Sequence, residues 1–534
     1  MNPLNPTLRQ AIEQALAERD IVRASELAES ALGEGQRHPL LLNLAAWKRE
    51  EAGEFDAALS LLSEALELAP SDPNIIGAIG AVLRQQGKLS EALLRLDEAI
   101  RLDPAAASPW QERGMALAAG GSLEAALASY QRATELDPQS ASAFGGVASI
   151  AARRGDLKIA VRFGERALAL DPLDPLGAAG MARAEIERGR PERALSVLQA
   201  VLATDLGDEN RSNLAALHGD ALDRLGRYAE AFAAYSTANQ ASARRIVQFE
   251  GTGESHRGYA ERLSQEFAAI APEKWAAARL PPQGDTRAIA FLIGYPRSGT
   301  TLVENVLASI PGVEALEERP TLAAGEQYLR EGGLARLVEA DNLKLDELRE
   351  AYWQEVTAAG IDARSKLFLD KDPLKGVKLP LIARLFAAAR IIVMRRDPRD
   401  VVWSCFRANF APTPAAVEFT NLERAARHYD AMMRTQEEFL AALPLARHEL
   451  RYEALVADFD TETHGLCDFL DTAWTEDMRD FSRTARRRGV STISLSQVSK
   501  PLYDGSRQWR CYEEPMRSIL PILQPWVERF GYSG

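Results

Sequence analysis

The sequence is poor in cysteine, histidine and aromatic residues. Its 534 residues include three cysteines and six histidines, and aromatic side chains make up 7% of the chain. No histidine stands at a metal-ligand spacing beside a cysteine, so we expect reduced thiols that neither hold a metal nor act as nucleophiles. Few aromatics and abundant alanine favour close-packed helices over a β-sandwich. The cysteines are Cys405, Cys467 and Cys511.

Positively charged residues are outnumbered by negatively charged ones. The chain has 63 lysines and arginines against 76 acidic residues, a net charge of −13, and therefore lacks the overall positive field on which non-specific nucleic-acid binding relies. No stretch reaches the roughly 18 apolar residues that span a bilayer, and the first residues lack the basic-then-apolar pattern of a secretion signal. We therefore expect no nucleic-acid partner, no membrane span and a cytoplasmic location.

The first half of the chain repeats with a period of 34 residues. Each unit is predicted to form two helices, with a glycine in the turn between them, small residues where the helices cross and a proline that ends the second helix. About seven such units fit between residues 5 and 242. The period is carried by Gly53, Gly87, Gly121, Gly155 and Gly189, and by Pro70, Pro104, Pro138 and Pro172.

This pattern resembles the tetratricopeptide repeat. The resemblance implies an α-solenoid, a superhelix of paired helices whose concave groove accepts an extended peptide or a partner protein. A spacer or dimerisation arm without cargo, in a homodimer, is the alternative. We predict the repeat array over residues 5–242, a helical linker over 243–285 and a second domain over 286–534.

The second domain begins with an apolar strand, the glycine-rich segment GYPRSGTT at residues 294–301 and an amphipathic helix. Backbone N–H groups in such a loop converge on an anion, and the hydroxyls of Ser298, Thr300 and Thr301 add donors. The two glycines have the spacing of an ATP-binding loop, but Thr300 stands where its lysine would be. Without that lysine and a strand-end aspartate for Mg²⁺, an ATP-dependent kinase is the less favoured alternative.

The loop resembles the 5′-phosphosulfate loop of sulfotransferases that use 3′-phosphoadenosine 5′-phosphosulfate (PAPS), above all the tyrosylprotein sulfotransferases and bacterial sulfotransferases fused to tetratricopeptide repeats. The segment RIIVMRRDPRDVVWSCFRANF resembles the 3′-phosphate motif of the same family. The resemblance implies a three-layer α/β P-loop fold with a central parallel sheet. It also implies that the donor contacts Pro296, Arg297, Ser298, Gly299, Thr300, Thr301, Arg396 and Ser404.

Arg396 and Ser404 are eight residues apart, which is the spacing of the arginine and the serine in that motif. A guanidinium suits a ribose phosphate because it offers several N–H donors in a planar fork and keeps its charge. A further arginine of the motif would fall on Ala408, and the adjacent Arg407 is the candidate substitute.

Sulfuryl transfer needs a base for the acceptor hydroxyl and a cation for the charge that develops on the oxygens. The resemblance to the tyrosylprotein branch implies Glu318 as the base, with Glu317 as the alternative. It implies Lys371 and Arg297 as the stabilising cations, and it places Ser496 near the sulfate.

Three more donor contacts follow from the resemblance. Tyr452, in the segment HELRYEALV, matches a tyrosine that contacts the nucleotide. Lys500 and Arg510 lie in a polar C-terminal stretch that closes over the donor in relatives, and spacing does not decide which of them faces the 3′-phosphate. No metal is expected.

The sequence thus predicts transfer of a sulfuryl group from PAPS to a hydroxyl, with the repeats recruiting the acceptor or a partner. A polypeptide tyrosine is the favoured acceptor, and a hydroxyl of a glycan, a lipid or a small molecule is the alternative. A repeat scaffold with an inactive enzyme domain is a third reading.

Overall fold

The computed structural model describes residues 4–18, 20–247, 253–277, 288–362, 367–488, 502 and 504–532. It divides into two compact units, Met1–Arg190 and Pro191–Gly534. Among the described residues, no helix combines the length and the apolar composition needed to cross a membrane.

The described part of the first unit consists of helices that follow the 34-residue period. Prolines start several of them, and the glycines between paired helices have positive φ angles, as at Gly87 (78°) and Gly155 (84°). The helices are α1 (Pro6–Ala17), α2 (Ile21–Gly33), α3 (Pro39–Glu51), α4 (Phe55–Leu68), α5 (Pro73–Gln85), α6 (Leu89–Leu102), α7 (Ala107–Ala119), α8 (Leu123–Leu136), α9 (Ala141–Arg154), α10 (Leu157–Leu170) and α11 (Pro175–Glu187).

Small residues are buried where these helices cross. The repeated alanines Ala58, Ala92 and Ala126 are fully buried, and a Cβ added to Gly80 would lie 2.7 Å from a side-chain carbon of Leu96. Larger side chains would push the helices apart, since protein interiors are close-packed. The predicted solenoid is confirmed.

The second unit begins with helices that continue the repeat series. These are α12 (Pro191–Leu202), α13 (Asp208–Arg224) and α14 (Tyr228–Ile246). The boundary between the two compact units therefore falls within the predicted repeat array, because α13 and α14 pack on the α/β region that follows. The domain limits given by the sequence stay predictions.

Two helices lie in the span predicted as a linker, α15 (His256–Ala268) and α16 (Pro272–Ala277). Leu263, Phe267 and Trp275 are buried in the same apolar cluster as the central sheet. The hydroxyl of Thr435 donates to the carbonyl of Ala260 at 3.1 Å. This described part of the span is thus packed into the second unit rather than extended as a connector.

The centre of the second unit is a five-stranded parallel sheet with the order β2-β3-β1-β4-β5. Successive residues of β1 point to opposite faces: Phe291 joins one apolar cluster, and Ala290 and Leu292 join the other. The sheet is buried on both faces, as the predicted three-layer fold requires. The strands are β1 (Ile289–Ile293), β2 (Val313–Glu317), β3 (Leu367–Lys371), β4 (Arg390–Arg395) and β5 (Ala446–Arg451).

The remaining described α-helices cover the faces and edges of this sheet. They are α17 (Thr300–Leu307), α18 (Ala323–Glu339), α19 (Asn342–Ala358), α20 (Leu379–Leu385), α21 (Pro398–Arg407), α22 (Leu422–Ala442), α23 (Tyr452–Ala457), α24 (Phe459–Leu470), α25 (Phe481–Arg488), α26 (Glu513–Met516) and α27 (Leu520–Arg529).

Candidate active site

The candidate site lies at the carboxyl ends of the parallel strands, where α/β sheets commonly bind ligands. The glycine-rich loop follows β1, Glu318 follows β2, Lys371 ends β3, Arg396 follows β4, and Tyr452 follows β5. The register pairs Lys371 with Leu292 on one side and with Glu317 on the other. The fold thus gathers predicted site residues that are far apart in sequence.

The loop between β1 and α17 is tightly packed at its two glycines. Gly299 has a φ of 105°, and an added Cβ would lie 3.0 Å from a ring carbon of Tyr452. At Gly294 an added Cβ would lie 2.8 Å from the carbonyl oxygen of Met394. Both positions therefore favour glycine.

Helix α17 starts at Thr300 directly after this loop, and no side chain caps its N-terminus. Its first N–H groups lack partners within the helix, and they favour an anion. Ser298 and Thr301 are buried beside Thr300, and the carbonyl of Pro296 accepts from the thiol of Cys405 at 3.4 Å. The predicted loop residues are thus together at one helix start.

Two arginines and a serine meet beside this loop. Nη1 of Arg396 donates to the carbonyl of Arg297 at 2.9 Å, and Nε of Arg297 donates to the hydroxyl of Ser404 at 3.0 Å. The Arg396 guanidinium also lies 4.5 Å from the centre of the Tyr452 ring. Sequence reasoning predicted these four residues as donor contacts, and the structure brings them together.

The Nε–H group of Arg396 is buried and makes no hydrogen bond to any described residue. A buried N–H group without a partner is costly unless a ligand satisfies it. Together with the helix N-terminus, it gives the site a second point suited to an anion.

The segment from residue 504 to residue 512 packs against this cluster. Nη2 of Arg396 donates to the carbonyl of Gly505 at 2.7 Å, and the N–H of Gly505 donates to the Tyr452 hydroxyl at 3.3 Å. The backbone N–H groups of Arg507 and Trp509 both donate to the carboxylate of Asp400. This part of the C-terminal stretch is therefore tied to the donor motif.

The three C-terminal candidates have different outcomes. Arg510 is exposed, and its guanidinium lies 5.9 Å from the centre of the Trp509 ring. Its contact with a nucleotide stays a prediction. Ser496 and Lys500 lie outside the described residues.

Lys371 is completely buried among three carboxylates. Its Nζ atom lies 2.6 Å from Oε1 of Glu318, 3.3 Å from Oε2 of Glu304 and 3.7 Å from Oε1 of Glu317. Burial alone would lower the pKa of Lys371, but the three carboxylates raise it above its usual range. The lysine is therefore a fixed cation at this end of the sheet.

Glu318 and Glu317 differ in access to solvent. The Glu318 side chain is 43% exposed and that of Glu317 is 16% exposed. Glu318 has a positive φ of 40°, and its N–H donates to the carbonyl of Lys371 at 2.8 Å. Burial raises the pKa of Glu318 above its ordinary value, although Lys371 acts to lower it. This geometry favours Glu318 over Glu317 as a base that meets a substrate.

Sequence reasoning missed Glu304. It is the one charged residue in α17, it is buried, and its second oxygen accepts from Nη2 of Arg488 at 2.8 Å. An acid in an otherwise uncharged helix behind a glycine-rich loop was the available signal, because charged residues are rarely buried without partners.

A second buried lysine was also missed. Nζ of Lys375 lies 2.5 Å from Oδ1 of Asp370 and donates to the hydroxyl of Thr321 at 2.9 Å and to the carbonyl of Arg319 at 3.2 Å. Tyr352 donates to the other oxygen of Asp370 at 2.8 Å. These bonds hold the turn that follows Glu318, so Lys375 supports the position of Glu318 without reaching the site surface.

Two arginines of the motif face away from the donor cluster. Arg407 was the candidate substitute for an arginine at position 408, but its guanidinium lies 3.9 Å from Asp220 and 4.0 Å from Asp223. That expectation is corrected, because the last turn of α21 faces α13 and α14. Arg395 pairs with Glu437 at 2.5 Å. It points away from the neighbouring Arg396 because successive residues of extended chain point to opposite faces.

The fold and the site define an α/β domain with an anion-binding loop that follows a helical repeat array. Residues 290–476 match the model of the Sulfotransferase family, and the Tetratricopeptide repeat model matches residues 78–141, 112–175 and 180–244. The chain therefore carries a sulfotransferase domain and tetratricopeptide repeats, which confirms the family resemblance found in the sequence.

Relatives of the chain match about half of it or less. An uncharacterized protein from Aquifex aeolicus is 28% identical over 247 residues, which cover 44% of this chain and 32% of that protein. Protein-tyrosine sulfotransferase 1 from Danio rerio is 27% identical over 261 residues, which cover 46% and 72% of the two chains. The sulfotransferase domain of the Synechococcus PCC 7002 olefin synthase is 22% identical, covers 48% of this chain and 98% of its own, and has a TM-score of 0.36.

Proposed function

We propose that this protein transfers the sulfuryl group of PAPS to an acceptor hydroxyl. The observation that carries the proposal is the Nε of Arg396, which is buried without a hydrogen bond to any described residue, beside a glycine-rich loop that has threonine in place of the ATP-binding lysine. Two anion-binding points at the carboxyl end of one sheet fit a nucleotide with phosphates on both its 3′ and 5′ oxygens.

The residues around the loop suit the two ends of that donor. Backbone N–H groups of Arg297, Gly299, Thr300 and Thr301, at the N-terminus of α17, would hold the 5′-phosphosulfate. Arg396 and Ser404 would hold the 3′-phosphate, because a guanidinium fork and a hydroxyl supply short, directional bonds to phosphate oxygens. Tyr452 lies under the Arg396 guanidinium and would contact the nucleoside.

The chain's own residues supply the acid–base and electrostatic parts of the reaction. Bound PAPS would supply the sulfuryl group, whose sulfur bonds to the acceptor oxygen as its bond to the 5′-phosphate oxygen breaks and adenosine 3′,5′-bisphosphate leaves. Glu318, the exposed member of the acidic pair, accepts the proton of the acceptor hydroxyl. Lys371 and Arg297 stabilise the negative charge that develops on the oxygens of the transferring group. The proposed mechanism uses no metal ion.

For the acceptor we favour a tyrosine of a polypeptide. Relatives named protein-tyrosine sulfotransferase match 46% of the chain, and tetratricopeptide repeats commonly bind proteins. In this proposal the repeat groove recruits the acceptor or a partner, in the cytoplasm. A hydroxyl of a glycan, a lipid or a small molecule is the alternative acceptor.

Transfer of radiolabelled sulfate from PAPS tests this function. The full chain is incubated with labelled PAPS in three separate reactions, each with one set of acceptors. The sets are a tyrosine-containing peptide pool, the same pool with phenylalanine for tyrosine, and a mixture of glycan and small-molecule alcohols. Label in the tyrosine pool alone supports the proposal. Label in the alcohols alone would assign the acceptor to a glycan or a small molecule instead of a tyrosine. If no acceptor is labelled although the PAPS stays intact, the result would contradict a sulfotransferase that acts on these acceptors.

A further inference from the structure

Helix α21 carries the donor serine Ser404, and its neighbouring side chains contact the last pair of repeat helices, α13 and α14. Phe232 of α14 stacks on Phe406 with ring centres 5.5 Å apart, and Tyr235 meets Trp403 edge-on at 5.8 Å. The amide of Asn239 donates to the carbonyl of Phe406 at 2.7 Å. The helix that presents Ser404 is thus fixed by helices of the repeat series.

The same helix pair contacts the segment that reaches Arg396. Tyr512 stacks on Trp403 with ring centres 3.8 Å apart, and its hydroxyl donates to Asp223 of α13. Only a few residues before Tyr512, the carbonyl of Gly505 accepts from Arg396. The position of this segment therefore depends on α13 as well as on the donor motif.

Arg407 lies at the centre of these contacts. Its guanidinium donates to Oε1 of Gln508 at 3.2 Å and lies within 4.0 Å of Asp220 and Asp223. Burial alone would lower the pKa of Arg407, but Tyr235 and the two aspartates raise it, so the side chain stays charged. One cation thus joins α13, the end of α21 and the turn Gln508–Tyr512.

We propose that Arg407 is a positioning residue for donor binding. It acts through the last helix pair, which sets both the helix of Ser404 and the segment bound to Arg396. The proposal rests on the proposed function, because the ligand it concerns is the 3′-phosphate end of the PAPS donor. In this proposal α13 and α14 help to position the residues that bind the PAPS donor, which is not a role expected of helices in a repeat series.

The test compares Arg407→Ala and Arg407→Lys with the wild type in the full chain. Calorimetry measures the affinity for adenosine 3′,5′-bisphosphate, and kinetics separate KM for PAPS from kcat. We expect Arg407→Ala to weaken bisphosphate binding and to raise KM by about tenfold, with kcat changed much less, because Asp220, Asp223 and Gln508 lose the partly buried cation that they share. Arg407→Lys should recover part of the affinity. Arg434→Ala, an exposed arginine of α22, is the control and should behave like the wild type.

Tyr512→Phe supplies an independent variant that removes one hydroxyl and keeps the stack on Trp403. It should also weaken bisphosphate binding, and its effect should not add to that of Arg407→Ala, since both act through Asp223. Wild-type affinity in both folded variants would overturn the inference and leave the proposed function standing. A wild type that does not bind the bisphosphate would instead overturn the proposed function.

Discussion

Oε1 of Glu318 lies 2.6 Å from Nζ of Lys371, across the carboxyl ends of the neighbouring strands β2 and β3. The lysine is fully buried and the glutamate is partly exposed. The pair therefore presents a carboxylate to the site while its cation stays fixed beneath it. This contact joins the two residues that the proposed mechanism uses as base and stabilising cation.

Replacing Glu318 should remove turnover and leave donor binding intact. Glu318→Gln keeps the shape of the side chain but takes no proton, so kcat should fall by about a hundredfold to ten-thousandfold. Glu317→Gln is the matched control and should retain most activity, because its side chain is largely covered. Full turnover of Glu318→Gln together with loss in Glu317→Gln would transfer the base to Glu317.

The pH dependence of kcat/KM, which reports groups of the free enzyme, should show the raised pKa of Glu318. The base works only when ionised, so the rate falls as the pH drops through the pKa of this group. Because burial raises that pKa above 4.5, the acid limb should lie above the value of an ordinary glutamate. A profile of kcat/KM against pH for the wild type checks this. An acid limb that persists unchanged in residual activity of Glu318→Gln would assign it to another group.

Gly299 should be required for donor binding because of its surroundings as well as its φ angle. Gly299→Ala places a Cβ against the Tyr452 ring, whereas Gly312, with a φ of 88°, has no atom within 4 Å of an added Cβ. Each alanine costs on the order of 1 kcal/mol of backbone energy. Only Gly299→Ala should lose bisphosphate binding in calorimetry, and equal binding by the two variants would contradict the packing argument.

Lys375 should be important for stability. Lys375→Met leaves the buried carboxylate of Asp370 without its cation, and breaking a buried pair in this way costs roughly 3–5 kcal/mol. Urea unfolding of this variant should show that loss, and the exposed Lys344→Met should differ little from the wild type. An unchanged midpoint for Lys375→Met would mean that Thr321 and Tyr352 suffice to hold Asp370.

Local patterns in the sequence were enough to predict the repeats and the glycine-rich loop. Each depends on residues close together in the chain: a glycine turn between two helices, or a strand, loop and helix in succession. The pairing of Arg396 with Arg297, and of Lys371 with Glu318, became predictable only through the family resemblance, since parallel strands bring distant residues together.

Neither local sequence patterns nor the family resemblance predicted the orientation of Arg407. The sequence places it next to the position of a family arginine, but its direction is set by Asp220 and Asp223, which belong to the repeat series. Glu304 was missed for a similar reason, because its partners Lys371 and Arg488 come from distant parts of the chain. Such charges are explained by tertiary contacts rather than by spacing.

Calorimetric titration of the full chain with adenosine 3′,5′-bisphosphate and with ATP distinguishes a PAPS-dependent sulfotransferase from an ATP-dependent kinase. We expect the wild type and the exposed control Arg434→Ala to bind the bisphosphate more tightly than ATP. We expect Arg396→Ala to lose that binding, because the bisphosphate loses the guanidinium beside its 3′-phosphate. Tight binding of ATP with no binding of the bisphosphate would contradict a PAPS-dependent sulfotransferase.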